Sequence, residues 1–161
     1  MPRLLLLFAV ALSQVAWSAE CTMQPAPIDI KHIAHNTGIK SYVVSGGNLS
    51  LTALLKDGRV LKLVHSGCDH SGASVSLWFD SNLELSSTDA WIKEAGALAR
   101  IAFTPRIATE IAGSLQRGKF ERNATEARVV ISASPSSFMW YSVVISRAEH
   151  GLLLTLSYEL G

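Results

Sequence analysis

Two blocks of two-residue alternation enclose a single stretch of helical periodicity. That order constrains the fold more than any other feature of the chain. Ala73, Val75, Leu77 and Phe79 alternate with Ser74, Ser76, Trp78 and Asp80, the pattern of a strand with one buried face. Beyond it, Trp91, Ala95, Leu98 and Ala102 recur at helical spacing, and Ile92 and Ala99 widen the stripe. This predicts an amphipathic helix of about 15 residues. Ser86-Ser87-Thr88-Asp89 supplies its cap, with Ser86 and Asp89 approximating a capping box. Thr104-Pro105 starts a second helix, with Thr as N-cap and Pro at the first helical position. Ile107, Ile111 and Leu115 line that helix, and Gly118 ends it. Alternation then resumes at Ala127, Val129, Ile131 and Ala133.

Turn chemistry divides the two strand blocks into hairpins. Lys40 to Ser45 reads as a first strand, followed by a Gly46-Gly47 turn. Leu49–Lys56 and Arg59–Ser66 flank Asp57-Gly58, a strong hairpin signal. A two-residue loop there sets Lys56 opposite Arg59, Leu55 opposite Val60 and Leu51 opposite Val64. Leu61, Leu63 and His65 then share the mixed face with Ser50, Thr52 and Leu54. Ser134-Pro135-Ser136-Ser137 reads as a turn. Phe138–Ser146 and Leu152–Tyr158 flank His150-Gly151, which pairs Ile145 with Leu156 and Val143 with Tyr158. Met139, Tyr141, Val143 and Ile145 then lie on one face with Leu154, Leu156 and Tyr158.

Because the helices do not alternate with strands, the pattern argues against a parallel sheet. The expected fold is α+β: an antiparallel sheet of about six or seven strands with two central helices packed on one face. The expected element order is β-β-β-β-α-α-β-β-β. Residues 39–161 form one domain, and residues 19–38, polar with Pro25 and Pro27, form an extended N-terminal arm.

Residues 1–18 read as a secretory signal peptide. Arg3 precedes an unbroken apolar run from Leu4 to Leu12, and Ala16 and Ser18 are small residues at −3 and −1 of a cleavage site. The run is about half the length that crosses a bilayer. Glu20 ahead of Cys21 argues against a lipid-attachment box. The mature chain is therefore expected to be exported, to periplasm or outside the cell, after cleavage near Ser18. The whole chain has 14 Lys+Arg, 13 Asp+Glu and a net charge of +1. Removing 1–18 takes away Arg3 and no acid, which leaves the mature chain neutral. Such a balance argues against a nucleic-acid partner, which requires a basic stripe. No apolar stretch past residue 18 is long enough to cross a membrane.

Cys21 and Cys68 are the two cysteines. In an exported protein an even count points to a disulfide, and two cysteines allow one intramolecular pairing. It would close a loop worth roughly 4 kcal/mol on chain entropy.

Chemistry-bearing motifs are sparse. His65-Ser66-Gly67-Cys68-Asp69-His70 gathers metal-ligand types, but structural zinc needs four ligands and no second ligand pair follows at finger spacing. No Gly-x-Ser-x-Gly elbow and no phosphate-binding glycine loop occurs. Asp80 and Glu84 could be paired carboxylates, or caps at a strand-to-helix junction. Asn48-Leu49-Ser50 and Asn123-Ala124-Thr125 fit the glycosylation rule, with Asn123 expected in a loop. Trp78, Phe138 and Trp140 fall by alternation on the face opposite the core. Exposed rings on a sheet are typical of partner contacts.

These features favour a small exported binding protein without catalysis or cofactor: an inhibitor, an immunity-type protein or an envelope-accessory protein. It would act on a protein partner or small ligand through a surface that holds Trp78, Phe138 and Trp140. One alternative is a metal-dependent hydrolase using His65, Asp69 and His70. Another is a lipid or small-molecule carrier with an apolar pocket between helices and sheet.

Overall fold

In a computed structural model of the chain, the described residues are 25–67, 70–79, 84, 87–136, 138–149 and 151–161. The core is one antiparallel sheet with helices against one face. The chain runs through α1 (Ile30–His35), β1 (Ile39–Ser45), β2 (Ser50–Leu55), β3 (Val60–Gly67) and β4 (Ser71–Phe79). It continues through α2 (Thr88–Ala102), α3 (Pro105–Gln116), β5 (Glu121–Ala124), β6 (Arg128–Ser136), β7 (Met139–Ala148) and β8 (Gly151–Leu160). The sheet has eight strands in the order β1-β2-β3-β4-β8-β7-β6-β5. Each half is a four-stranded meander, and the halves meet where β4 pairs antiparallel with β8 through Val75 and Leu156. The strand count is thus eight, above the six or seven expected from sequence.

The added strand is β5. Its residues Glu121-Arg122-Asn123-Ala124 are all exposed, so no hydrophobic pattern marks it. Pairing with β6 and a turn closed by Thr125 create it: Thr125 N donates to Arg128 O at 2.8 Å, and Arg128 N to Thr125 Oγ1 at 3.2 Å. Asn123 therefore lies in an edge strand opposite Val130, not in a loop.

The N-terminal arm also departs from expectation. It is not extended throughout, because Ile30–His35 is helical. Asp29 caps this helix by accepting from His32 N at 3.1 Å. Ile28 and Ile33 are buried in the core, so hydrophobic anchoring outweighs the polar character of the segment.

The two central helices fall where the periodicity puts them. Trp91, Ala95, Leu98 and Ala99 of α2 and Ile107, Ile111 and Leu115 of α3 are buried. Ser87 stands at the N-cap of α2 without a side-chain cap hydrogen bond, while Ser86 of the expected capping box lies outside the described residues. Pro105 opens α3, and Gly118 follows it at φ 64. Trp91 donates Nε1–H to Glu84 O at 2.9 Å, and its ring meets Phe79 edge-on at 5.6 Å.

The β2–β3 hairpin corrects the register. Leu51 pairs with Leu63 and Ala53 with Leu61, not Leu51 with Val64. The loop has three residues, Lys56-Asp57-Gly58, and Gly58 sits at φ 89. A three-residue loop ending in a left-handed glycine shifts the pairing by one. A shift of one moves a whole strand to the other face, so Leu61 and Leu63 join the core. The β7–β8 hairpin turns one residue earlier than expected, because Ala148 pairs with Gly151, and the pairing register moves by two. Val143 meets Leu156, and Tyr141 meets Tyr158. An even shift keeps every side chain on its face, so the expected face survives. The Ser134–Ser137 turn is displaced: β6 continues to Ser136, with Ser136 opposite Met139.

Candidate functional site

The helices cover the face bearing Leu51, Leu63, Val75, Leu156, Val143 and Ile131, all buried. The opposite face has no helix among the described residues and is built from lateral rungs set by the strand registers. One rung is almost entirely serine. Ser45 pairs with Ser50, Ser50 with Val64 and Val64 with Ser74. The rung continues from Ser74 to Ser157, then to Ser142 and Ser132. Eight strands at about 4.8 Å make such a face roughly 34 Å wide.

The two exposed tryptophans stand on this face on opposite sides of the serine rung. Trp78 is 38 % exposed, and Val60, at 50 %, lies near it. Trp78 pairs with Leu153, so that end is apolar. Trp140 is 43 % exposed and pairs with Glu159. Leu153 and Glu159 are six positions apart on β8, which separates the two rings by roughly 20 Å along the strands. They are the ends of one surface rather than a single patch.

The alternation therefore placed both tryptophans on the correct face. Phe138, expected with them, sits instead in the β6–β7 turn. It is exposed there, and its carbonyl accepts from Gly161 N at 3.1 Å.

The Trp140 end is the more shaped. His70 lies against Trp140 with ring centroids 5.4 Å apart and planes tilted 56°. A Cβ added at Gly161 would come within 2.8 Å of the indole, so the C-terminal backbone also closes on that ring. A groove of about 210 Å³ runs beside Trp140 over Ser132, Ser142, Ser157 and Glu159. Gly72 makes room for the carboxylate side chain: a Cβ there would stand 3.3 Å from Glu159 Cγ and 2.5 Å from Tyr158 O.

The histidine cluster divides across the sheet. His65 shares the helix side with Leu61 and Leu63, and its Nδ1 donates to Ala26 O at 2.7 Å. His70 packs on Trp140, on the open side. Asp69 lies outside the described residues, as do Cys21, Cys68 and Asp80. No group of three His, Cys, Asp or Glu side chains is gathered for a metal among the described residues. No described helix is long and apolar enough to cross a membrane. Between helices and sheet, the space a carrier pocket would need is occupied by Trp91, Leu98, Ile111, Leu63, Leu154 and Ile145, each at most 1 % exposed.

The missed signals were relational. The serine rung and the Trp140–Glu159 pair depend on hairpin registers that join residues far apart in sequence. No family model matches the chain, and neither the curated proteins nor the solved structures provide a match.

Proposed function

We propose that this chain is an exported, non-enzymatic binding protein that acts through the open face of its sheet. The observation that carries this reading is the exposure of Trp78 and Trp140 on a face no described helix covers. A large ring left in water on a sheet is an apolar area available to a partner, and tryptophan is enriched among residues that dominate binding energy. Export rests on the signal pattern in residues 1–18, and the Cys21–Cys68 pairing is expected from export; residues 1–18, Cys21 and Cys68 all lie outside the described residues. The His65–Ala26 hydrogen bond supports the pairing, because it ties the segment just after Cys21 to the strand leading to Cys68.

The test is capture of partners from the native envelope or secretion with tagged mature protein. It is run beside a Trp78→Ser, Trp140→Ser double variant whose thermal unfolding matches the parent. Partners held by the parent and lost by the variant support the reading, and equal retention by both overturns it. Elemental analysis of the same mature preparation is expected to find no stoichiometric metal; a tightly held equivalent would favour the hydrolase alternative.

A further inference from the structure

We infer that the groove between Trp140 and the serine rung is a receptor for an arginine side chain of a protein partner. This deepens the binding-protein reading and rests on it. The groove has one charged wall, Glu159, and Glu159 has no ion-pair partner among the described residues. An exposed carboxylate paired across the strands with a part-exposed indole is complementary to a cation, since an indole's face is negative and attracts cations within about 6 Å. A neutral occupant gains no charge attraction from Glu159, and an anionic one is repelled by it.

The floor selects among cations. Ser132, Ser142 and Ser157 come from three adjacent strands on one rung, so their hydroxyls form a line of acceptors at strand spacing. A guanidinium presents five N–H donors in a plane and stacks on aromatic rings, whereas an ammonium is a compact, strongly hydrated point charge. A flat fork lying on the indole, with one edge toward Glu159 and the other toward the hydroxyls, uses all three features together. The groove volume of about 210 Å³ suits one side-chain head group and not a folded peptide. His70 and the backbone at Gly161 brace the indole, so the platform is organised before a ligand arrives.

Three small probes titrated into isotope-labelled mature protein test this by nuclear magnetic resonance. They are N-acetyl-arginine amide, its neutral isostere N-acetyl-citrulline amide, and a neutral methyl pyranoside. The arginine probe is expected to move the Trp140 indole N–H and the Ser142, Ser157 and Glu159 amides saturably. The citrulline probe is expected to bind at least ten-fold more weakly. Glu159→Gln, an exposed change that leaves the thermal midpoint in place, is expected to remove most of that difference. Equal binding of arginine and citrulline, preferential binding of the pyranoside, or no shift at these four groups each overturns the inference. Failure here leaves the binding-protein reading intact if the tryptophan double variant still loses its captured partner.

Discussion

Tyr141 is the least comfortable polar group in the core. Its ring is buried and its hydroxyl, set beside the Ser114 hydroxyl, makes no well-formed hydrogen bond among the described residues, because Ser114 donates to Lys119 O at 3.2 Å. An unpartnered buried hydroxyl costs stability, so Tyr141→Phe is expected to be neutral or stabilising by up to about 1 kcal/mol in urea unfolding near neutral pH. Burial pushes the Tyr141 and Tyr158 phenols above their ordinary range. A raised phenol pKa adds stability that is complete below about pH 10 and is lost as pH rises toward the folded-state value. The same variant should therefore lose less stability between neutral and strongly alkaline pH than the parent; an unchanged alkaline slope would count against this account. Single residues were legible to the extent that alternation alone decides a side. Trp78 and Trp140 needed only the parity of their own strands. His65 and Phe138 depended on loop length and turn position, which parity cannot supply. The pairing of Trp140 with Glu159 crosses from β7 to β8, so it emerges only with the register.

The β2–β3 hairpin shows what a turn does to an element. Asp57 accepts from Arg59 N at 3.0 Å and forms an ion pair with its guanidinium at 2.7 Å. The same guanidinium reaches Glu94 of α2 at 3.3 Å and lies 4.9 Å over the Phe79 ring. One arginine thus pins the hairpin tip to both a helix and the core. Gly58→Ala forces a side chain into φ 89 and is expected to cost about 1 kcal/mol, read as a lower denaturant midpoint at unchanged slope. The Arg59 side chain holds the Asp57 carboxyl below its ordinary value. A depressed carboxylate adds stability above the ordinary range near pH 4 that is lost as pH falls through the folded-state value. Asp57→Asn should flatten that acid limb slightly, by under about 1 kcal/mol because the pair is half exposed. Asp-Gly announced a hairpin correctly, yet two- and three-residue loops share that signature and place β3 on opposite faces. Helices α2 and α3 were legible because their stripes are long and their apolar residues recur. The short α1 and the polar β5 carry no such periodicity; packing of Ile28 and Ile33 and pairing to β6 create them.

At the scale of the molecule, one sheet with a helical layer on one side gives the chain one packed face and one face open to solvent. The covered face supplies the core, and the open face keeps its rings and hydroxyls in water. The proposed Cys21–Cys68 disulfide would add roughly 4 kcal/mol on chain entropy. Cys21→Ser should lower the urea midpoint accordingly, and Cys68→Ser should match it; unequal losses would argue for separate roles. The α+β class followed directly from the order of periodicities. The placement of β8 between β4 and β7 did not, because sequence order gives no sign that the last strand described lies at the centre of the sheet.

That placement has a temporal consequence. A chain that emerges from its N-terminus presents β1 to β4 long before the strand that must lie beside β4, and β5 to β7 wait for the same neighbour. Leu152, Leu154 and Leu156 of β8 are core residues, so neither meander can seal its interior until they arrive. A chain lacking residues 151–161 is expected to show no cooperative thermal transition; a sharp one would refute this dependence. Under the proposed export, a keystone that follows the seven strands it must join would leave both meanders unsealed while they are threaded across a membrane.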